Sequence, residues 1–433
     1  MTLEPDPTST PVPPAGEPSE APAGPTSGGG PGRGRRFLAF VVVLLVAVGL
    51  VLFAGGLPPG PDGPPDGSPG SSGGGSPIGS GSPGPDRTEP ATDRPSPPPV
   101  SGDYLLIARS TLESLPMSGP AWSALVETAD GSLGRARLRN QDARHAVKTL
   151  AVALVYARTG NPSYRDKARD AILDAIGTEK EGAHNSILAL GRQLAAYVLA
   201  ADLIDLSGAD DETFRAWLDE IRTRDLGGHG RWRSLTATHE DSANNWGAFA
   251  GASRIAASLY LGDSEDVWDA AAVLRGFLGD RSAWSGFQPV DDSASWACDA
   301  GEYVPLNPPC VRDGVDIGGA IVRDISRGGD LRWPPGDDGV RYSLESLQGL
   351  TLQAELLARN GYGDPWTWSD SALRRAAEFV SRAGAAGGDT WDRSDVVPHL
   401  TWLLNARYDL GLETTPAGFG RVFGYTDWLY GSR

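Results

Sequence analysis

Five glycines, at positions 160, 208, 262, 361 and 411, each follow a long apolar helical pattern, and they recur at intervals of 48, 54, 99 and 50 residues. A glycine just past a helix end supplies the left-handed residue that closes the last turn, so each one marks a helix stop. The apolar patterns run over Asp142–Thr159, Ile187–Leu206, Asn244–Leu261, Tyr342–Asn360 and Val396–Leu410. The first four are followed by amphipathic stretches, Ser163–Ile176, Asp211–Ile221, Glu265–Leu278 and Ser369–Arg382. A period of about 50 residues with one apolar and one amphipathic helix describes stacked helical hairpins, the apolar helix inside and the amphipathic one outside. The doubled interval predicts a further unit near residue 310, where a shorter helix is expected over Ile317–Ile325. Alternating strand patterns are scarce, so the fold class is all-α: an open solenoid, or a stack closed into an α/α toroid.

The chain ahead of this repeat has another character. Residues 1–36 are rich in Pro, Gly, Ser and Thr and are expected to form a disordered tail. Phe37–Ala54 is an unbroken apolar run of 18 residues, the length of a membrane-spanning helix. Arg33, Arg35 and Arg36 precede it and the next basic residue is Arg87, which puts the N-terminus in the cytoplasm and the remainder outside. Cleavage after this segment is the alternative, although Leu52-Phe53-Ala54 makes a poor cleavage site. A Pro/Gly/Ser-rich linker at 55–101 then tethers one large domain at 102–433.

The formal net charge of −17 includes no basic block, which argues against nucleic acid and against an anionic membrane surface as partners. Cys298 and Cys310 are the only cysteines. On the outer side of a membrane they read as a disulfide closing a short loop, with two separate thiols as the alternative. No compact His and carboxylate cluster has metal-ligand spacing, so neither metal nor cofactor is expected.

Parallel inner helices would bring their N-termini to one rim. Those starts carry Asn140 and Asp142, His184 and Asn185, Asn244 and Asn245, then Arg341, Tyr342 and Glu345, and finally Ser394, Asp395 and His399. Polar caps explain Asp142, Asn185 and Ser394, but explain Tyr342, Glu345 and His399 poorly, which points to a shared cleft. In His239-Glu240-Asp241-Ser242-Ala243-Asn244-Asn245-Trp246-Gly247 the asparagine pair opens a helix of small residues. Its positive end suits a carboxylate ligand, or the pair simply caps the helix while Trp246 fills the core.

Several of these segments together resemble the alginate lyase superfamily. They are Ala153-Leu154-Val155-Tyr156-Ala157-Arg158-Thr159-Gly160, Tyr164-Arg165-Asp166-Lys167-Ala168, Asn244-Asn245-Trp246, Arg341-Tyr342 through Ala354-Glu355, and Gly424-Tyr425-Thr426-Asp427-Trp428. The likeness spans nearly all of 103–433 and is most specific at the asparagine pair. It implies an α/α toroid, an exported location and β-elimination on a uronic-acid-containing polysaccharide, an anionic substrate. In the family the second asparagine holds the uronate carboxylate, which matches Asn245. The family's next residue is His, where Trp246 stands. Its Tyr-His-x-Tyr segment is matched by Tyr342-Ser343-Leu344-Glu345.

With those residues changed to Trp246, Ser343 and Glu345, Tyr342 and Glu345, three apart on one helix face, are the candidates for acid and base, unless Glu345 pairs with Arg341 one turn earlier. His239 is the other titratable candidate, or else a surface loop histidine. Arg192 lies inside an apolar helix, where a lone charge is costly, and two partners are open to it: a uronate carboxylate, or Asp202 or another internal acid. Asn244, Arg341, Asn185 and His399 join the substrate-binding set. Trp246 and Trp333 are candidates to stack on sugar rings, although 13 tryptophans make a core role the ordinary one. Two other functions fit the same fold: a glycoside hydrolase using Glu345 with Asp241 or Glu240, and a glycan-binding module without a base.

Overall fold

A computed structural model describes residues 103–431, apart from 181–185, 228–232, 290, 300, 389–397 and 419. The expected tail, membrane helix and linker, and with them His184, Asn185, Ser394 and Asp395, lie outside the described residues. Two helices, α1 (Arg109–Ser114) and α2 (Pro120–Asp130), precede the first repeat unit. Four hairpin pairs carry the repeat. The first comprises α3 (His145–Thr159) and α4 (Pro162–Leu173), the second α5 (Ser186–Leu203) and α6 (Ala209–Thr223). After the short α7 (Leu235–Asp241) come α8 (Asn245–Leu261) and α9 (Ser264–Phe277). An insert then contains the two-residue strands β1 (Val311–Arg312) and β2 (Val315–Asp316), paired antiparallel, and α10 (Val322–Ile325). The last pair is α11 (Asp337–Arg359) and α12 (Trp368–Gly387), followed by α13 (Pro398–Tyr408) and α14 (Thr426–Tyr430).

The chain punctuates itself where the sequence expects. All five repeat glycines have positive φ, from 64° at Gly411 to 81° at Gly361. Asn161 caps α4 through Ser163 N–H, with Pro162 opening the helix, and Asp263 caps α9 through Asp266 N–H. Burial separates the two helix types. In α8 nearly every residue from Asn245 to Ser258 is buried, whereas α6 buries Phe214, Trp217, Leu218, Ile221 and Arg222 and presents the rest outward.

The apolar helices α3, α5, α8 and α11 pack side by side and run the same way. Between α3 and α5, Gln193 donates to the Asn140 carbonyl at 2.8 Å and His145 meets the Tyr197 hydroxyl at 2.7 Å, so position rises together on both. The Ser253 hydroxyl of α8 donates to the Gly191 carbonyl at 2.8 Å and accepts from Ala195 N–H at 3.0 Å. On the other flank of α8, Gln353 of α11 donates to the Ala248 carbonyl at 2.8 Å. Such close approach requires glycine. A Cβ at Gly349 would stand 2.4 Å from the Ala248 carbonyl carbon, and one at Gly251 would stand 2.5 Å from His239 Nε2. The run of small residues in α8 is therefore what lets its neighbours lie against it. α5 is also long and apolar enough to cross a membrane, yet it is buried within the domain.

Two expectations are corrected. Among the described residues the doubled glycine interval holds no further inner helix, because α8 packs directly on α11. The described residues between 280 and 336 form a largely irregular insert instead, and of the expected Ile317–Ile325 helix only Val322–Ile325 is helical, the glycines at 318 and 319 preceding it. In addition, α11 begins five residues earlier than Tyr342, with Asp337 and Asp338 in its first turn, where acidic groups favour a helix start. The C-terminal segment returns to the beginning of the domain: Trp428 stacks on Trp122 at 5.3 Å and donates to the Pro116 carbonyl, and Arg421 reaches Asp142.

Candidate active site

The start of α8 is built from the chain's own polar groups. Asn244 caps it, its Oδ1 accepting from Trp246 N–H at 3.0 Å and from the Ser242 hydroxyl at 2.7 Å. Asn245 N–H is taken by the carboxyl of Asp324, on α10, and the Ser346 hydroxyl of α11 donates to the same carboxyl. A carboxylate does sit at this helix end, as its positive potential favours, but it belongs to the protein. Asp324 is wholly buried, and desolvation pushes its pKa up to about 7 against the pull of Ser346, Arg327 and Asn245 N–H. The side chains of Asn244 and Asn245 are each 1% exposed. Asn244 Nδ2 and Asn245 Oδ1 have no hydrogen-bond partner among the described residues.

Beside this helix start lies a cluster of four charges. Arg192 of α5, 5% exposed, donates to Glu345 of α11 and stands 4.0 Å from Asp142. Its guanidinium lies 5.2 Å from the ring of Phe249, one turn into α8. From the segment after α13, Arg421 donates to Asp142 at 3.0 Å and places Nε 3.8 Å from Glu345, while its backbone N–H donates to Gln348 at 3.0 Å. Burial lowers the pKa of Arg192, from a value so high that it stays cationic at neutral pH. The cluster is incompletely satisfied: Arg192 Nε, Arg421 Nε and Gln348 Nε2 are buried without a hydrogen-bond partner among the described residues.

This arrangement answers the open pairings. Glu345 takes Arg192 rather than Arg341, because both side chains face inward from the two helices that flank α8; Arg341 is exposed and pairs with Asp338 at 2.8 Å. Asp202 is not the partner of Arg192. It lies about 15 Å further along α5, ten residues at 1.5 Å each, and accepts from Leu105 N–H at 2.8 Å. Tyr342 is half-buried, with the guanidiniums of Arg327 and Arg341 4.2 and 4.9 Å from the centre of its ring. Trp246 is half-buried against the core.

Other expected site residues lie elsewhere. His239 is on α7, not in a surface loop, and is 3% exposed against Gly251 and Gln353; desolvation drives its pKa down to about 3. His399 is fully buried edge-on to Phe423, also pushed by desolvation to about 3. Both are neutral core residues at physiological pH. Trp333 is 40% exposed and packs on Phe379 of α12, with Arg382 5.9 Å away. Glu240 pairs with Arg254 at 3.2 Å, in the middle of α8 and away from Glu345. Cys298 and Cys310 are joined in a disulfide. Among the described residues no three His, Cys, Asp or Glu side chains form a metal-binding group.

Sequence reasoning missed Arg421 and Asp324. Each had one weak signal: Arg421 is a lone charge before Val422-Phe423, and Asp324 belongs to an Arg323-Asp324 pair set inside the apolar Ile321, Val322 and Ile325.

Residues 121–290 match the Alginate lyase family model. That stretch is alginate lyase-like. The matched stretch runs from α2 past α9 and carries Arg192, Asn244, Asn245 and Trp246; Asp324, Tyr342, Glu345 and Arg421 follow it. The match supports a polysaccharide lyase as the enzyme class. No curated protein matches the chain.

Proposed function

We propose that this alginate lyase-like domain is an α/α toroid that cleaves a uronic-acid-containing polysaccharide by β-elimination, outside a membrane to which residues 37–54 anchor it. The parallel apolar helices and the return of the C-terminal segment to α2 and α3 support the toroid. The Cys298–Cys310 disulfide fits an oxidising compartment. The observation that carries the reading is the meeting of Arg192, Glu345 and Arg421, with Arg192 over Phe249 one turn into α8 and three N–H donors without a hydrogen-bond partner among the described residues.

The C5 proton of a uronate becomes removable only when its carboxylate is neutralised. In this reading Asn245, Arg192 and Arg421 hold that carboxylate. A sugar carboxylate competing for Arg192 draws it from Glu345, and the released Glu345 takes the C5 proton. The electron pair of the C5–H bond forms the C4–C5 double bond, the C4–O bond breaks, and the Tyr342 hydroxyl gives its proton to the departing oxygen. Arg327 and Arg341, 4.2 and 4.9 Å from the centre of the Tyr342 ring, stabilise the phenolate left behind until solvent exchange returns the proton from Glu345.

The full chain mixed with alginate, glycosaminoglycan and glucuronan polymers should generate ultraviolet absorbance from the unsaturated product with at least one of them. New reducing ends without absorbance would replace this reading with hydrolysis. Binding with neither product would make the domain a glycan-binding module.

A further inference from the structure

We propose that Asp324 is the positioning residue of this site and a charge competitor of its acidic substrate. Its carboxyl ties the first residue of α8 to α11, and when ionised it sets a fixed negative charge beside the place where the sugar carboxylate is held. This inference rests on the lyase reading above.

The geometry comes from three elements. Asp324 sits on α10, in the insert that replaces the missing hairpin, and is 0% exposed. One carboxyl oxygen accepts from the Ser346 hydroxyl, the other is buried without a hydrogen-bond partner among the described residues, and Asn245 N–H interacts with the carboxyl; Ser346 adjoins Glu345 on α11. Loss of this bridge would free the first residue of α8 and the turn of α11 that presents Glu345. The charged and titratable groups facing Asp324 are Arg323 and Arg327 from its own stretch, Arg327 at 3.9 Å, and Tyr303 from the insert. From α8 and α11 it receives only the neutral donors at Asn245 and Ser346. The insert is braced behind it: Val322 N–H donates to the Pro305 carbonyl, and Asn307, inside the Cys298–Cys310 loop, donates to the Trp296 and Ile317 carbonyls.

Burial holds Asp324 to a value of about 7, so its charge changes where the substrate carboxylate stays ionised. The buried histidines at 239 and 399, at about 3, are silent in that range. Asp202, also near 7, titrates at the far end of α5, and comparison with an Asp324 variant removes its contribution.

The sign follows from linkage. The folded state holds a proton on Asp324 that the unfolded chain releases near 3.8, so stability falls as pH rises from about 4 towards 7. Asp324→Asn keeps a carbonyl to accept Asn245 N–H and removes the titration. In the full chain, the melting temperature of Asp324→Asn relative to wild type should climb over that interval, with no substrate present. On a cleaved polymer, wild-type KM should rise about fivefold between about pH 5.5 and 8.5 with little change in kcat, while the variant's KM stays flat. A parallel KM rise in both proteins, or a pH-independent melting difference, overturns the proposal. Failure of wild type to cleave any polymer overturns the lyase reading and the competition with it, and the melting series then separately decides whether Asp324 titrates at the start of α8.

Discussion

Helix α11 carries two buried glutamates ten residues apart, Glu345 and Glu355, in opposite circumstances. Glu355 is saturated. One oxygen accepts from Arg359 Nε at 2.5 Å and from the Tyr430 hydroxyl at 2.9 Å; the other accepts from Arg407 through Nε at 2.9 Å and Nη2 at 2.5 Å. Glu345 shares Arg192 and Arg421 with Asp142, whose side chain is 62% exposed, and three neighbouring N–H groups are unused. A buried charge that satisfies every neighbour locks helices together. One surrounded by spare donors leaves room for a second carboxylate. Each end sets a glutamate against two arginines, Glu345 sharing its pair with Asp142 and Glu355 adding Tyr430, and it is the hydrogen-bond tally that separates structure from site.

The largest effect should come from the saturated end. Glu355→Ala leaves Arg359 and Arg407 without a counter-charge in the interior and should destabilise the domain by about 3–5 kcal/mol, read by denaturant unfolding. A loss below about 1 kcal/mol would break the comparison, because the two glutamates would then be energetically alike. Glu345→Gln comes next. The amide oxygen still accepts from Arg192, and Asp142 remains within reach of both arginines, so the fold should survive. Turnover should fall about 100-fold or more with KM little changed, the mark of a lost proton acceptor. Equal loss of stability and turnover would make Glu345 another helix lock.

The two ends also differ in how far the sequence announces them. The 50-residue glycine period identifies four of the hairpins, and the asparagine pair correctly marks the start of α8, because capping and helix stops are local chemistry. The gap near 310 was not legible: a missing glycine looks the same whether a hairpin has decayed or been replaced by an insert, and only packing shows α8 directly on α11. Arg192 stands out as a charge in an apolar helix, but its partner lies 153 residues away and pairing over that distance leaves no local pattern. Arg421 and Asp324 reach the site from a loop and a four-residue helix, where no periodicity constrains side-chain direction. His239 and His399 misled for the opposite reason. Histidine type alone does not distinguish a cleft from a core, and both are buried neutral beside glycines.

The finest test of the comparison removes one hydrogen bond from the saturated end. Tyr430, from α14, is buried, which pushes its pKa up and keeps it a neutral donor to Glu355. Tyr430→Phe preserves the ring and its packing and deletes that donor. Arg359 and Arg407 continue to satisfy the carboxylate, so the loss should be small, about 1 kcal/mol, visible as a lower denaturant midpoint with an unchanged slope. Turnover per folded molecule should not move, because about 15 Å of helix separates Glu355 from Glu345. A fall in kcat at unchanged stability would show that the C-terminal segment, which carries both Tyr430 and Arg421, transmits strain from one end of α11 to the other. The two clusters would then be one coupled device rather than a lock and a site.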